Sequence, residues 1–159
     1  MNKFPITPQG YIKLEQELKQ LKHVERPAVI EAISTAREFG DLSENAEYHA
    51  ARDKQSFIEG RILDLEDKFS RAEVIDTAKF TADSVKFGAK VKLLDDDTKE
   101  ECAYQITGEY EADITQSKIS IKSPLSKALI GKSVGDLVEV KTPKGDKAFE
   151  IMAISFHAE

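Results

Sequence analysis

Apolar residues recur at steps of three and four along most of the first half of the chain, and that one period decides most of what the chain can fold into. Leu14, Leu18 and Leu21 are followed by Val29, Ile33 and Ala36. After a break at Phe39–Leu42 the step returns at Ala46, Ala50, Asp53 and Phe57, then runs on through Ile58, Ile62, Leu65, Phe69 and Ala72. Such spacing lays a single apolar stripe along a helix. Two stripes separated by one turn signal, Gly40, predict two long helices folded back as an antiparallel coiled-coil hairpin over residues 1–76. Thr7-Pro8 supplies a helix N-cap followed by a proline in the first turn. Pro27 removes a backbone donor and is expected to kink or loosen the first helix without ending it, because the stripe resumes directly. With the turn centred near residue 41, Leu14 is expected to face Phe69, Leu18 to face Leu65, Leu21 to face Ile62 and Ile33 to face Ala50. A helix of roughly 30 residues is about 45 Å long at 1.5 Å per residue, so this half is a rod.

From Val85 onward the pattern is that of strands. Val85–Leu94, Lys99–Thr107, Lys118–Lys122, Asp136–Lys141 and Lys147–Phe156 concentrate β-branched and aromatic residues, and Asp95-Asp96-Asp97, Gly108, Gly135 and Gly145 punctuate them. Pro124–Ile130 before Gly131 has the pattern of one short helix with a glycine cap. The expected class is therefore α+β: the hairpin over 1–76, a linker over 77–84, and a small antiparallel sheet with one helix over 85–159. Both halves net −3 and the whole chain −6, so a general affinity for nucleic-acid phosphates is excluded and any such contact must be local. One cysteine, Cys102, forms no internal disulfide, and three scattered histidines build no zinc site with it. No stretch approaches the ~20 apolar residues that span a bilayer, and MNKFPITPQG lacks the apolar run of a signal peptide. A cytoplasmic protein with no membrane partner is expected.

The chemistry falls at the turn, residues 37–48. Asp41 and Glu44 stand three apart, and a pair of carboxylate oxygens is what a hard divalent cation takes, usually with water and phosphate completing the shell. The same spacing is a capping box with Asp41 as N-cap and Glu44 at the third helical position, in the place where the helix dipole favours acids anyway. Both readings stay open on spacing alone. Arg37 and Arg52 flank the turn and, on sequence alone, are more often solvated or paired with Glu38, Asp53 or Glu47. Tyr48 and His49 either stack on a base or cover the seam.

The run from Ala36 to Arg52, AREFGDLSENAEYHAAR, resembles the signature of bacterial Gre transcript-cleavage factors, and Ser123-Pro124 with Leu129-Ile130-Gly131-Lys132 resembles that family's second motif. The likeness covers essentially the whole chain. It is closer to the GreA branch than to GreB, whose turn is followed by a strongly basic run that Ala50-Ala51-Arg52-Asp53-Lys54 does not match. The resemblance implies an FKBP-like C-terminal domain that docks on bacterial RNA polymerase through Ser123 and Pro124. It implies a coiled coil that enters the polymerase's secondary channel, and Arg37 and Arg52 facing the 3′ end of backtracked RNA. Asp41 and Glu44 would complete the ligands of a second Mg²⁺ in the polymerase active site. The chain would then be a monomer when free, with no cofactor of its own and no enzymatic activity of its own. The alternatives are a secondary-channel regulator that does not promote cleavage, and a prolyl isomerase or chaperone built on the C-terminal half.

Overall fold

The computed structural model describes residues 2–40 and 42–156. The chain divides into two compact units: residues 11–72 form one, and residues 3–10 with 73–156 form the other.

The first unit is helical. Helix α1 (Pro8–Gln20) passes through a π turn (Leu21–Glu25) into α2 (Arg26–Arg37), and after the turn α3 runs from Ala46 to Arg71. At 1.5 Å per residue the 26 residues of α3 span about 39 Å. Its inward face is Tyr48, Ala51, Gln55, Ile58, Ile62, Leu65 and Phe69, which alternate steps of three and four, with Ile58, Ile62 and Leu65 buried. Ala46, Ala50, Asp53 and Phe57, expected on the seam, instead face outward, and Phe57 is 71% exposed. Alanine satisfies the helical period without demanding burial, so the bulky Ile58–Leu65 set fixes the face and the alanines follow it. Ala51, not Ala50, takes the inward place. Opposite, Leu18 and Leu21 pack against the buried Val29–Ile58–Ile62 cluster, and Phe69 stacks on Tyr11 at 4.7 Å. Arg61–Glu17, Arg26–Glu59 and Lys22–Glu66 ion pairs rim the seam at 2.8–2.9 Å. Exposed pairs of this kind fix register more than they stabilise.

The π turn sits where Pro27 withholds an N–H and would press on the carbonyl of His23 in a continuous α-helix. Arg26 N–H reaches back to the Leu21 carbonyl, five residues away. Inward positions 11, 14, 18, 21 and 25 keep a strict alternation of three and four, and positions 29, 33 and 36 continue it one residue late. A π turn inserts one residue of this kind, so it absorbs both the proline and the phase shift.

In the second unit, β1 (Phe4–Ile6) pairs with β2 (Ala72–Val74). The seam pattern had carried Ala72 into the helix, but α3 ends at Arg71 and Ala72 is extended. A five-stranded sheet follows, in the order β5-β4-β3-β7-β6, from β3 (Lys90–Asp95), β4 (Glu101–Thr107), β5 (Lys118–Ser120), β6 (Leu137–Thr142) and β7 (Gly145–Ser155). The sheet is not wholly antiparallel. β4 and β5 run parallel, because residues 108–117 cross back through a 3₁₀ turn (Ile114–Gln116) and Ser117 in the left-handed region at φ 58°. Helix α4 (Pro124–Leu129) buries Leu129 in the core with Val91, Leu93, Ile106 and Ile151. Residues 77–84 are not bare linker. Thr77 is buried, Phe80 packs against the core, and the short helical turn Thr77–Lys79 is capped by Asp76. Gly88 (φ 86°) passes so close to Thr77 that a Cβ there would lie 2.3 Å from its methyl group. Thr7 caps α1 by accepting from Gly10 N–H at 3.0 Å, and its own N–H donates to Glu111, whose carboxylate also takes Gly108 N–H at 2.8 Å.

Candidate functional site at the hairpin turn

Helix α2 ends at Arg37 and α3 begins at Ala46, with turns between them and Gly40 at φ 108°. The capping residue of α3 is Asn45. Its Oδ1 accepts from Tyr48 N–H at 3.0 Å. The capping-box reading of Glu44 is thereby corrected: Glu44 precedes the cap and does not lie in the helix, so it satisfies no backbone donor of α3. It is exposed and makes no hydrogen bond or ion pair among the described residues. Asp41 lies outside the described residues.

Arg37 at the end of α2 and Arg52 in α3 converge on one ring. Both guanidinium carbons stand 5.9 Å from the centroid of Tyr48, and Arg52 Nη1 donates to the Tyr48 hydroxyl at 3.3 Å. The expected partners Glu38, Glu47 and Asp53 pair with neither arginine among the described residues. The two arginines also line one open pocket with Ile30, Ile33, Ser34 and Gln55, which has no acidic side chain in its lining and so suits an anion. His49 stacks edge-on to Tyr48 at 5.6 Å and its Nε2 lies 3.2 Å from the Ser43 carbonyl. The turn therefore carries exposed carboxylates, Glu44 with Glu38 and Glu47, and a pair of cations on the Tyr48 ring, none of them in an ion pair among the described residues. No group of three His, Cys, Asp or Glu able to hold a metal occurs among the described residues. Any cation meeting Glu44 needs its remaining ligands from elsewhere.

Ser123 and Pro124 lie in the other unit, at the start of α4. Ser123 Oγ accepts from Ser126 N–H at 3.2 Å and pairs with the buried Ser126 hydroxyl at 3.0 Å, and Pro124 opens the helix. Lys122 beside them reaches Glu109 at 3.2 Å. Burial raises the pKa of the Cys102 thiol, which makes it a poor nucleophile. Residue patterns did not single out Asn45. Its signal was an Asn placed just before the helix-forming run, in competition with the more familiar Asp-x-x-Glu.

Two family descriptions divide this chain between them. "Transcription elongation factor, N-terminal", the GreA/GreB N-terminal family, matches residues 4–74, and "Transcription elongation factor, GreA/GreB, C-term" matches residues 80–156. The chain belongs to the GreA/GreB family of transcription elongation factors. Within that family it is 64% identical over 154 residues to transcription elongation factor GreA of Rickettsia felis, covering 97% of this chain and 95% of the relative. It is 60% identical over 156 residues to the GreA of Rhodospirillum rubrum, covering 98% and 99%. Among solved structures it matches GreA factor homolog 1 of Thermus thermophilus at 31% identity and a TM-score of 0.44, over 97% of this chain and 99% of that one. Its place in the GreA/GreB family makes the hairpin turn part of a transcription elongation factor, and Glu44, Arg37 and Arg52 are, like Glu38 and Glu47, exposed charges there with no ion pair among the described residues. No helix among the described residues is long and apolar enough to cross a membrane.

Proposed function

We propose that this chain restarts backtracked RNA polymerase by stimulating the enzyme's own Mg²⁺-dependent cleavage of the displaced RNA. The globular unit, of FKBP-like type, docks on the polymerase through the Ser123–Pro124 segment, and the helical hairpin enters the secondary channel. Asp41 and Glu44 offer carboxylate oxygens at the active site, and Arg37 and Arg52 take a phosphate near the RNA 3′ end. Mg²⁺ there supplies an activated water and stabilises the displaced oxygens. The observation that carries this reading is that one turn holds both an exposed Glu44 carboxylate and an arginine pair with no ion pair for either among the described residues. A donor set of one or two carboxylates fits a cation that takes few protein oxygens and keeps its waters, but it holds no such ion unaided. The chain is accordingly no enzyme by itself, acts as a monomer, and works in the cytoplasm, where Cys102 stays reduced.

The decisive variant is Asp41→Asn combined with Glu44→Gln. Asn45 caps α3, and the variant keeps it. The variant is expected to melt like the parent and bind polymerase, yet to lose cleavage on a stalled, backtracked complex by orders of magnitude at low Mg²⁺, with partial recovery at high Mg²⁺. Parental cleavage at low Mg²⁺ overturns the assignment of the two carboxylates, whereas a parent that binds polymerase and stimulates no cleavage would leave a non-cleaving channel regulator. An isomerase reading of the globular unit has little support from its aromatics: Phe80 and Phe156 pack edge-on against each other at 5.5 Å, and Phe4 against Tyr110 at 4.8 Å.

A further inference from the structure

Asn45 does two jobs with one side chain. Its Oδ1 accepts from Tyr48 N–H at 3.0 Å, and its Nδ2 donates to the Ala36 carbonyl at 2.6 Å. The first bond satisfies an orphan donor at the start of α3, and the second adds to a carbonyl at the end of α2 that lacks its α-helical partner. The same carbonyl receives Phe39 N–H at 3.1 Å, so both its lone pairs are used. One amide thus closes the loop that holds Glu44 and spans residues 36–45, and it does so next to Glu44 in sequence. It also ties the last turn of α2, which ends on Arg37, to Tyr48, on which Arg37 and Arg52 converge. Aspartate and serine cap helices about as well as asparagine, but aspartate has no donor and serine is a shorter side chain with a single hydroxyl. Only an amide is donor and acceptor at once with that reach.

We infer that Asn45 is a positioning residue for the proposed chemistry: its side chain locks the turn so that the Glu44 carboxylate and the Arg37–Arg52 pair are presented in one fixed arrangement. This inference rests on the function proposed above. In Asn45→Asp the acceptor for Tyr48 N–H survives, while a carboxylate oxygen faces the Ala36 carbonyl and the tie is broken. α3 stays capped and the seam keeps its buried residues, so a purely structural role for Asn45 predicts little change.

The test uses the full chain with Asn45→Asp, beside Glu44→Gln and the parent. Amide hydrogen exchange and backbone NMR order across residues 38–45 should show a loosened turn in Asn45→Asp with Tyr48 N–H still protected. On a stalled polymerase complex, its maximal cleavage rate should fall by about tenfold to a hundredfold, the loss expected of a reacting group misplaced by about 1 Å. The concentration giving half-maximal effect and the melting temperature should stay near parental. A turn as ordered as the parent's, or full cleavage from a loosened turn, overturns the inference. Parental cleavage by Glu44→Gln would instead count against the site reading. The order of residues 38–45 would then decide the tie by itself, a parental turn in Asn45→Asp refuting it and a loosened one supporting it.

Discussion

The Asp83 carboxylate accepts from Lys86 Nζ at 2.7 Å and from the Thr81 hydroxyl at 2.9 Å, and these bonds hold its pKa down at about 2. A carboxyl lowered on folding adds stability that is fully present above its unfolded value of about 3.9 and is lost as pH falls through the folded value. An NMR titration should therefore place its midpoint near 2, and Lys86→Ala should move it back toward the ordinary carboxylate range. A midpoint unmoved by that change would remove Lys86 as the cause. The Asp95 carboxyl is also lowered, by backbone donors, accepting from Thr98 N–H at 3.2 Å and Asp97 N–H at 2.9 Å, and the run of aspartates at 95–97 announced that turn in the sequence. The hairpin turn was less legible. Asp-x-x-Glu is a capping pattern and a ligand pattern alike, and nothing in spacing reveals that the cap belongs to Asn45. The tie from Asn45 to Ala36 joins residues nine apart across a turn whose geometry no local period encodes. Likewise the meeting of Arg37 and Arg52 on Tyr48 depends on the seam's rotation, which the alanines of α3 left ambiguous.

Among the elements, the segmented first helix shows how two sequence irregularities can share one solution. Pro27 was visible as a disturbance; the one-residue delay in the seam after residue 25 was not, because Leu21 to Val29 fits a loose helical period. Deleting His23, whose exposed side chain makes no hydrogen bond or ion pair among the described residues, would bring positions 29, 33 and 36 into phase with the strict alternation of 11, 14, 18 and 21, with Arg26 taking the place of Glu25. It would also place the proline in a continuous α-helix, at a cost of roughly 3 kcal/mol. The deletion alone should therefore lower the helical melting transition, and the deletion with Pro27→Ala should restore it to at least the parental value. If the double change melts as low as the deletion, the π turn serves some need other than proline and phase. In the sheet, the strands were legible from their β-branched residues, whereas the parallel β4–β5 pair was not: its direction is set by the crossing of residues 108–117 and the left-handed Ser117, features without a periodic signal.

At the scale of the whole molecule, two separate cores imply two separable failures. The helical unit is held by a thin seam centred on Val29, Ile58 and Ile62, and the globular unit by a core that includes Val91, Leu93, Ile106, Leu129 and Ile151. Ile62 is 1% exposed, so Ile62→Asp sets an unpaired charge in the middle of that seam, where burial without a partner is strongly unfavourable. The helical transition should collapse on heating while the sheet transition stays near parental; Leu129→Asp, at a fully buried position of the other core, should do the reverse. The proposed division of labour then gives a sharper expectation. With docking in the globular unit and chemistry at the hairpin turn, the Ile62→Asp chain should compete with the parent for polymerase, inhibit cleavage in mixtures as its proportion rises, and promote none alone. The Leu129→Asp chain should neither compete nor cleave at ordinary concentrations, because the turn loses the high local concentration that docking provides, yet it should recover some cleavage when added in large excess. Failure of the Ile62→Asp chain to compete, with its sheet transition intact, would place the docking surface on the helices. Efficient cleavage by the Leu129→Asp chain at parental concentration would show that the turn needs no anchor at all.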